Sequence, residues 1–222
     1  MKLALSIACV LAAVLALAPD CSARKWEVSL MAGYTMGGGF DQEGDAEGDD
    51  VSLGIRESPS FAVAVDTVYE KGTEFEIYYS RQSTELEIEE GAFSGQNLFD
   101  LDIHTLQIGG TVILTQATDV FGETLFKPNA FCEPYFVGTV GVAHFRPGDS
   151  GYDPETRFCA SLGFGTRLHV TERFGFRLEA RGIAAFFNGG GAVFSGPEGL
   201  KIAVDSEAVG QGVVNAGLYY GF

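Results

Sequence analysis

Three sets of side chains in this sequence have types and spacings that could do chemistry. The first is acidic: Asp41, Glu43, Asp45, Glu47, Asp49 and Asp50 are broken only by small or polar residues, including Gly44 and Gly48. Hard cations take carboxylate oxygens, and Asp41, Glu43 and Asp45 begin with the alternation of a calcium loop. Ala46 then stands where such a loop needs its turn glycine, and Ser52 where it needs a bidentate acid. The ligand count therefore favours a solvated acidic segment. Weak divalent-cation binding by Asp41, Glu43, Asp45, Asp49 and Asp50 is the alternative. Glu85, Glu87, Glu89 and Glu90 form a second cluster of the same loose kind.

The second set mixes signs at every other position: Glu74 and Glu76, then Arg167, then Arg177, Glu179 and Arg181. Residues two apart on a strand share a face, so these ions can pair if their strands enclose a space. The third set is His104, His144, His169 and the cysteines Cys132 and Cys159. Nucleophilic or acid–base catalysis needs a histidine within reach of a nucleophile or carboxylate on one face. His144 has no serine or acid two residues away, and His169 lies among arginines, so no catalytic site, metal centre or cofactor is expected.

The elements that must position these residues are strands. Trp26, Val28, Leu30, Ala32, Tyr34 and Met36 oppose Lys25, Glu27, Ser29, Gly33 and Thr35 over 25–36. The same alternation marks 60–69, 73–86, 158–170, 174–186 and 210–222. In the last, Val214, Ala216, Leu218, Tyr220 and Phe222 oppose small or polar partners. Two strands are less regular. Over 101–114, Leu101 and Ile103 are out of phase with Leu106, Ile108, Val112 and Leu114, which predicts a bulge or a late start. Over 132–146 both phases are apolar and the facing is open. The cysteines then sit on neighbouring strands near opposite ends of their hairpin. That is far beyond the ~7 Å between Cα atoms that a disulfide tolerates, so two free thiols are expected.

Long connections (37–57, 87–100, 147–156, 187–207) alternate with short ones (70–72, 171–173), while 115–131 is longer than the pattern predicts. Eight antiparallel strands linked this way form an all-β up-and-down barrel. A barrel of eight only just holds side chains inside, so the small and charged set fits the interior and the Phe-, Tyr- and Leu-rich set faces out to lipid. A salt-bridged plug of Glu74, Glu76, Arg167, Arg177, Glu179 and Arg181 is favoured over a narrow polar path. Met1-Lys2, the apolar run 3–18 and the small residues ending at Ala23 read as a secretory signal, making 1–23 a cleaved leader and 24–222 the barrel. A net charge of −16 argues against nucleic acid and against simple docking on anionic lipid.

The segments Glu74 to Gln82 (E-F-E-I-Y-Y-S-R-Q) and Gly138 to Pro147 (G-T-V-G-V-A-H-F-R-P), with the closing strand that stops on Phe222, carry a resemblance. The whole mature chain resembles the small eight-stranded outer-membrane barrel family that includes the OmpA transmembrane domain and OmpW. The resemblance implies a multi-pass protein of a Gram-negative outer membrane, with both termini periplasmic. Tyr220 and Phe222 would be the signal read by the barrel-assembly machinery. Outer-membrane lipid and lipopolysaccharide would surround a monomer. The expected role is structural or interactive, through acidic loops that meet lipopolysaccharide, a host surface or another protein. Porin-like passage of small or hydrophobic solutes is the alternative. The chain carries no peptidoglycan-binding segment after its barrel, so no cell-wall anchoring is implied.

Overall fold

Strict two-residue alternation lets a strand bury one face and leave the other apolar face outward, and eight such strands can close on themselves without an edge. The computed structural model of the chain describes residues 26–42, 51–90, 97–116, 131–148, 152–187, 192–195, 201–204 and 208–222. The expected leader lies outside the described residues. In chain order the strands are β1 (Trp26–Met36), β2 (Gly39–Gln42), β3 (Val51–Ile55), β4 (Ser58–Glu70), β5 (Thr73–Glu90) and β6 (Asn97–Ile113). They continue as β7 (Cys132–Pro147), β8 (Glu155–His169), β9 (Phe174–Phe186), β10 (Ala192–Ser195), β11 (Lys201–Val204) and β12 (Ala208–Gly221).

Strands β1, β4, β5, β6, β7, β8, β9 and β12 pair antiparallel in that order, and β12 returns to β1, with Leu30 opposite both Val63 and Leu218. Closure pairs every ladder with two neighbours, which removes the unsatisfied backbone groups that lipid could not solvate. The short turn between β4 and β5 works because Gly72 takes a φ of 82°, a left-handed conformation that a side chain would strain. The closing end is tied down by Phe222 N donating to Trp26 O at 2.8 Å and Gly221 N to Arg173 O at 2.7 Å. The small strands extend the long connections: β2 and β3 pair with each other and onto β5, and β10 pairs with β11.

One expectation is corrected and one open facing is resolved. Strand β6 has neither a bulge at Leu101–Ile103 nor a late start. It begins early, at Asn97, and holds unbroken register with β7 from Leu101↔Pro147 to Ile113↔Tyr135. The shift between β5 and β6 falls instead at Leu86/Glu87. Leu101 and Ile103 point inward, because the interior is polar only in part. Toward the long connections it is an apolar cluster of Ile55, Leu86, Phe99, Leu101, Ile103, Phe145, Ile183, Phe187 and their neighbours. Both phases of β7 are apolar for the same reason: Phe136, Val140 and Val142 face out, while Val137, Ala143 and Phe145 face in.

The exterior is the inverse of a water-soluble surface. Leu30, Phe61, Ile108, Val140, Phe164, Leu178 and Leu218 are all exposed, and Leu162 is 77% exposed. Arginines and glutamates fill the centre instead. Apolar outside and ionic inside is the arrangement of a barrel that spans a membrane.

Candidate functional site

The interior near the short turns is a layer of ions. Alternation on β5 aims Glu74, Glu76 and Tyr78 inward, and on β9 it aims Arg177, Glu179 and Arg181 inward. Arg167 arrives from β8 and lies between the two groups. These three arginines are 0%, 0% and 2% exposed for Arg167, Arg177 and Arg181 respectively, so each must find its partners inside.

Arg177 holds the centre. Its Nη1 donates to Asp66 Oδ2 at 2.7 Å, its Nη2 to Glu76 Oε2 at 2.5 Å and Glu179 Oε2 at 2.8 Å, and its Nε to the Tyr135 hydroxyl at 2.7 Å. Arg181 donates Nη2 to Glu76 Oε1 and Nε to Glu179 Oε1, both at 2.8 Å, so the two carboxylates bridge the two guanidiniums. Arg167 reaches Glu27 at 2.8 Å, Glu74 at 2.5 Å, Glu133 at 3.2 Å and Asp66 at 3.7 Å. Asp66 thereby links Arg167 to Arg177.

Aromatic rings complete the packing. Tyr135 donates its hydroxyl to Glu179 Oε2 at 2.8 Å, and its ring lies 5.1 Å from the Arg167 guanidinium and 5.0 Å from that of Arg177. The Tyr78 ring lies 3.8 Å from the Arg181 guanidinium, a cation–π contact in a dry site. Gly165 is what admits Tyr135, since a Cβ there would run into the Tyr135 hydroxyl. Above this layer Gln107, Thr139 and Ser161 hydrogen-bond one another at 2.6–3.0 Å, and the apolar cluster follows. The cross-section is closed in two different ways along its height, first by ions and then by hydrocarbon.

The structure thus brings together all six charged residues singled out from the sequence, and adds Glu27, Asp66, Glu133 and Tyr135. Glu27 and Asp66 carried a signal, because each lies on the polar phase of its strand. Tyr135 carried none, since β7 is apolar on both faces. Elsewhere, Asp41 lies on β2 opposite Ser52, while Glu43, Asp45, Asp49 and Asp50 lie outside the described residues. In the second acidic cluster, Glu85 pairs with Arg56 at 2.6 Å. Among the described residues no group of histidine, cysteine and acidic side chains is arranged to hold a metal ion. Cys132 and Cys159 are free thiols; their ladder positions, Cys132↔Leu168 and Gly141↔Cys159, put them at well-separated levels. Tyr220 faces outward and its ring packs edge-on against Phe222, with centroids 4.9 Å apart. Much of the connection 115–131 lies outside the described residues.

This architecture is shared with solved proteins. Neisserial surface protein A superposes with a TM-score of 0.57 at 12% identity, over 89% of this chain and 97% of its own. Outer membrane protein OprG from Pseudomonas aeruginosa superposes with a TM-score of 0.59 at 13% identity, over 90% and 96%. The fold is that of the small outer-membrane barrels. In an outer-membrane barrel the short turns face the periplasm and the long connections face outward. The ionic layer is therefore on the periplasmic side and the apolar cluster on the outer side. No protein-family model matches the sequence, and none of the curated proteins is similar to it.

Proposed function

We propose that this outer-membrane barrel is a closed, non-enzymatic scaffold that acts through the surface it presents outward rather than by passing solutes. The observation that carries this reading is the ionic layer: three arginines with essentially no exposure, each clamped by at least two carboxylates, at least one of them from another strand. A water-filled path would need those side chains to part, and breaking a buried pair typically costs ~3–5 kcal/mol. The histidines support the absence of catalysis. His104 is bonded to Tyr79, His144 to Thr156 and His169 to Tyr219, and Glu133, 3.9 Å from His169, is held by Arg167 in the ionic layer.

The rival, passage of apolar solutes, draws on the apolar lining of the outer half of the interior. The ionic layer beneath it argues against a through route. Planar-bilayer recording and vesicle uptake with the purified barrel test the two together. Silence in the bilayer and no solute uptake are expected; steady conductance, or uptake of an apolar solute above protein-free vesicles, would reject the closed scaffold.

A further inference from the structure

On the outward face of β5, β6 and β7 the apolar band ends abruptly. Ile77, Leu106, Ile108, Val140 and Val142 are exposed to lipid, and immediately beyond them toward the outer side come Arg81, His104, His144 and Arg146. The ladder sets Arg81 opposite His104 and His104 opposite His144, and in the next row Asp102 lies opposite both Ser83 and Arg146, so two arginines and two imidazoles surround one carboxylate. On other strands the outward positions near that end are apolar, as with Met36, Phe61, Phe158 and Phe186. Two arginines around a single carboxylate, with Glu85 and Asp100 in the row beyond, are a local departure in a chain of net charge −16.

The patch is built rather than scattered. Tyr79 Oη lies 2.9 Å from His104 Nδ1 and Thr156 Oγ1 lies 2.8 Å from His144 Nδ1, with the two imidazole centroids 6.5 Å apart. A neutral imidazole whose Nδ1 accepts from a hydroxyl carries its proton on Nε2, so each ring keeps one donor for another acceptor. Arg81 commits only Nη2 to Asp102, at 3.1 and 3.2 Å from the two oxygens, and Ser83 also donates to Asp102 at 2.6 Å. Nε and Nη1 of Arg81 are not used in that pair. Asp102 therefore both orients Arg81 and competes for it.

We infer that this patch holds the phosphate of a lipid headgroup in the outer leaflet, with Arg81 and Arg146 supplying charge and the His104 and His144 Nε2–H groups supplying hydrogen bonds. Planar guanidiniums match phosphate oxygens in a bidentate fork, and the patch begins where the apolar band stops, at the level of the headgroups. The inference rests on the outward orientation of the long connections and deepens the reading of a barrel that works at its outer surface.

Native mass spectrometry of the folded, detergent-solubilised barrel tests it, titrated separately with diphosphoryl lipid A and with the same lipid stripped of its phosphates. Inorganic phosphate serves as a competitor. The parent protein should retain the phosphorylated lipid at least about tenfold more tightly, the equivalent of one charge-assisted hydrogen bond. R81Q/R146Q should abolish that preference, and D102N should strengthen it, with a heat-dependent change in gel migration showing that both variants are folded. Equal retention of the two lipids, or an unchanged preference in folded R81Q/R146Q, would overturn the inference. Displacement of the lipid by inorganic phosphate at matched concentration would also overturn it, making a soluble anion the ligand. A barrel that conducts but still discriminates the lipids would sink only the closed-scaffold reading.

Discussion

Replacing Arg177 with methionine keeps most of the side-chain volume and removes the one guanidinium that touches Asp66, Glu76 and Glu179 together. Glu76 and Glu179 would retain Arg181 at 2.8 Å, so they are only partly deprived. Asp66 would be left with Arg167 at 3.7 Å, in a site where it is 1% exposed. Stranding a buried charge in this way costs ~3–5 kcal/mol. Asp66→Asn should cost less, since the network (Glu27, Asp66, Glu74, Glu76, Glu133 and Glu179 against Arg167, Arg177 and Arg181) holds more carboxylates than guanidiniums. The double variant should lose less than the sum of the single losses, with a coupling of ~0.5–3 kcal/mol. Urea unfolding of the barrel in phospholipid vesicles measures this, read by the fluorescence of Trp26, the single tryptophan, and by gel mobility. An R177M barrel within ~0.5 kcal/mol of the parent, or strictly additive losses in the double variant, would refute the idea that these ions hold the lumen together.

Other consequences follow from the same arrangement. Val140→Arg, on the lipid face, should cost ~2–4 kcal/mol near mid-bilayer and slow folding into vesicles, as measured in the same urea titration. Leu101→Ala should cost ~2–5 kcal/mol by leaving a cavity in the outer apolar cluster, whereas Leu106→Ala, facing lipid that can refill the space, should cost clearly less.

The barrel was legible because its strands alternate. Strand β9 runs over 174–186, the span that Phe174, Phe176, Leu178 and Ala180 mark against Arg177, Glu179 and Arg181. The inward direction of the charges was legible too, since an eight-stranded interior has no room for the Phe-rich alternative. Partnership was not. Glu27 and Asp66 sit on the right phase, but which arginine each meets depends on stagger between strands distant in sequence. The outer apolar tier was signalled only by the phase break at Leu101 and Ile103, which a local bulge would have produced equally well. Register with β7 distinguishes the two, and register is not written in either strand alone. The same ambiguity hid Tyr135.

Which side chains touch lipid is the claim on which location, closure and the headgroup patch all depend. Isotope-filtered NMR of the barrel in lipid nanodiscs measures it without substitution, through cross-relaxation between methyl groups and acyl chains. The account predicts lipid contacts for the methyls of Leu106, Val140, Leu162, Leu178, Val214 and Leu218, and none for Leu101, Ile103, Ile183, Val209 and Val213. Acyl-chain contacts to the second set with silence from the first would contradict it.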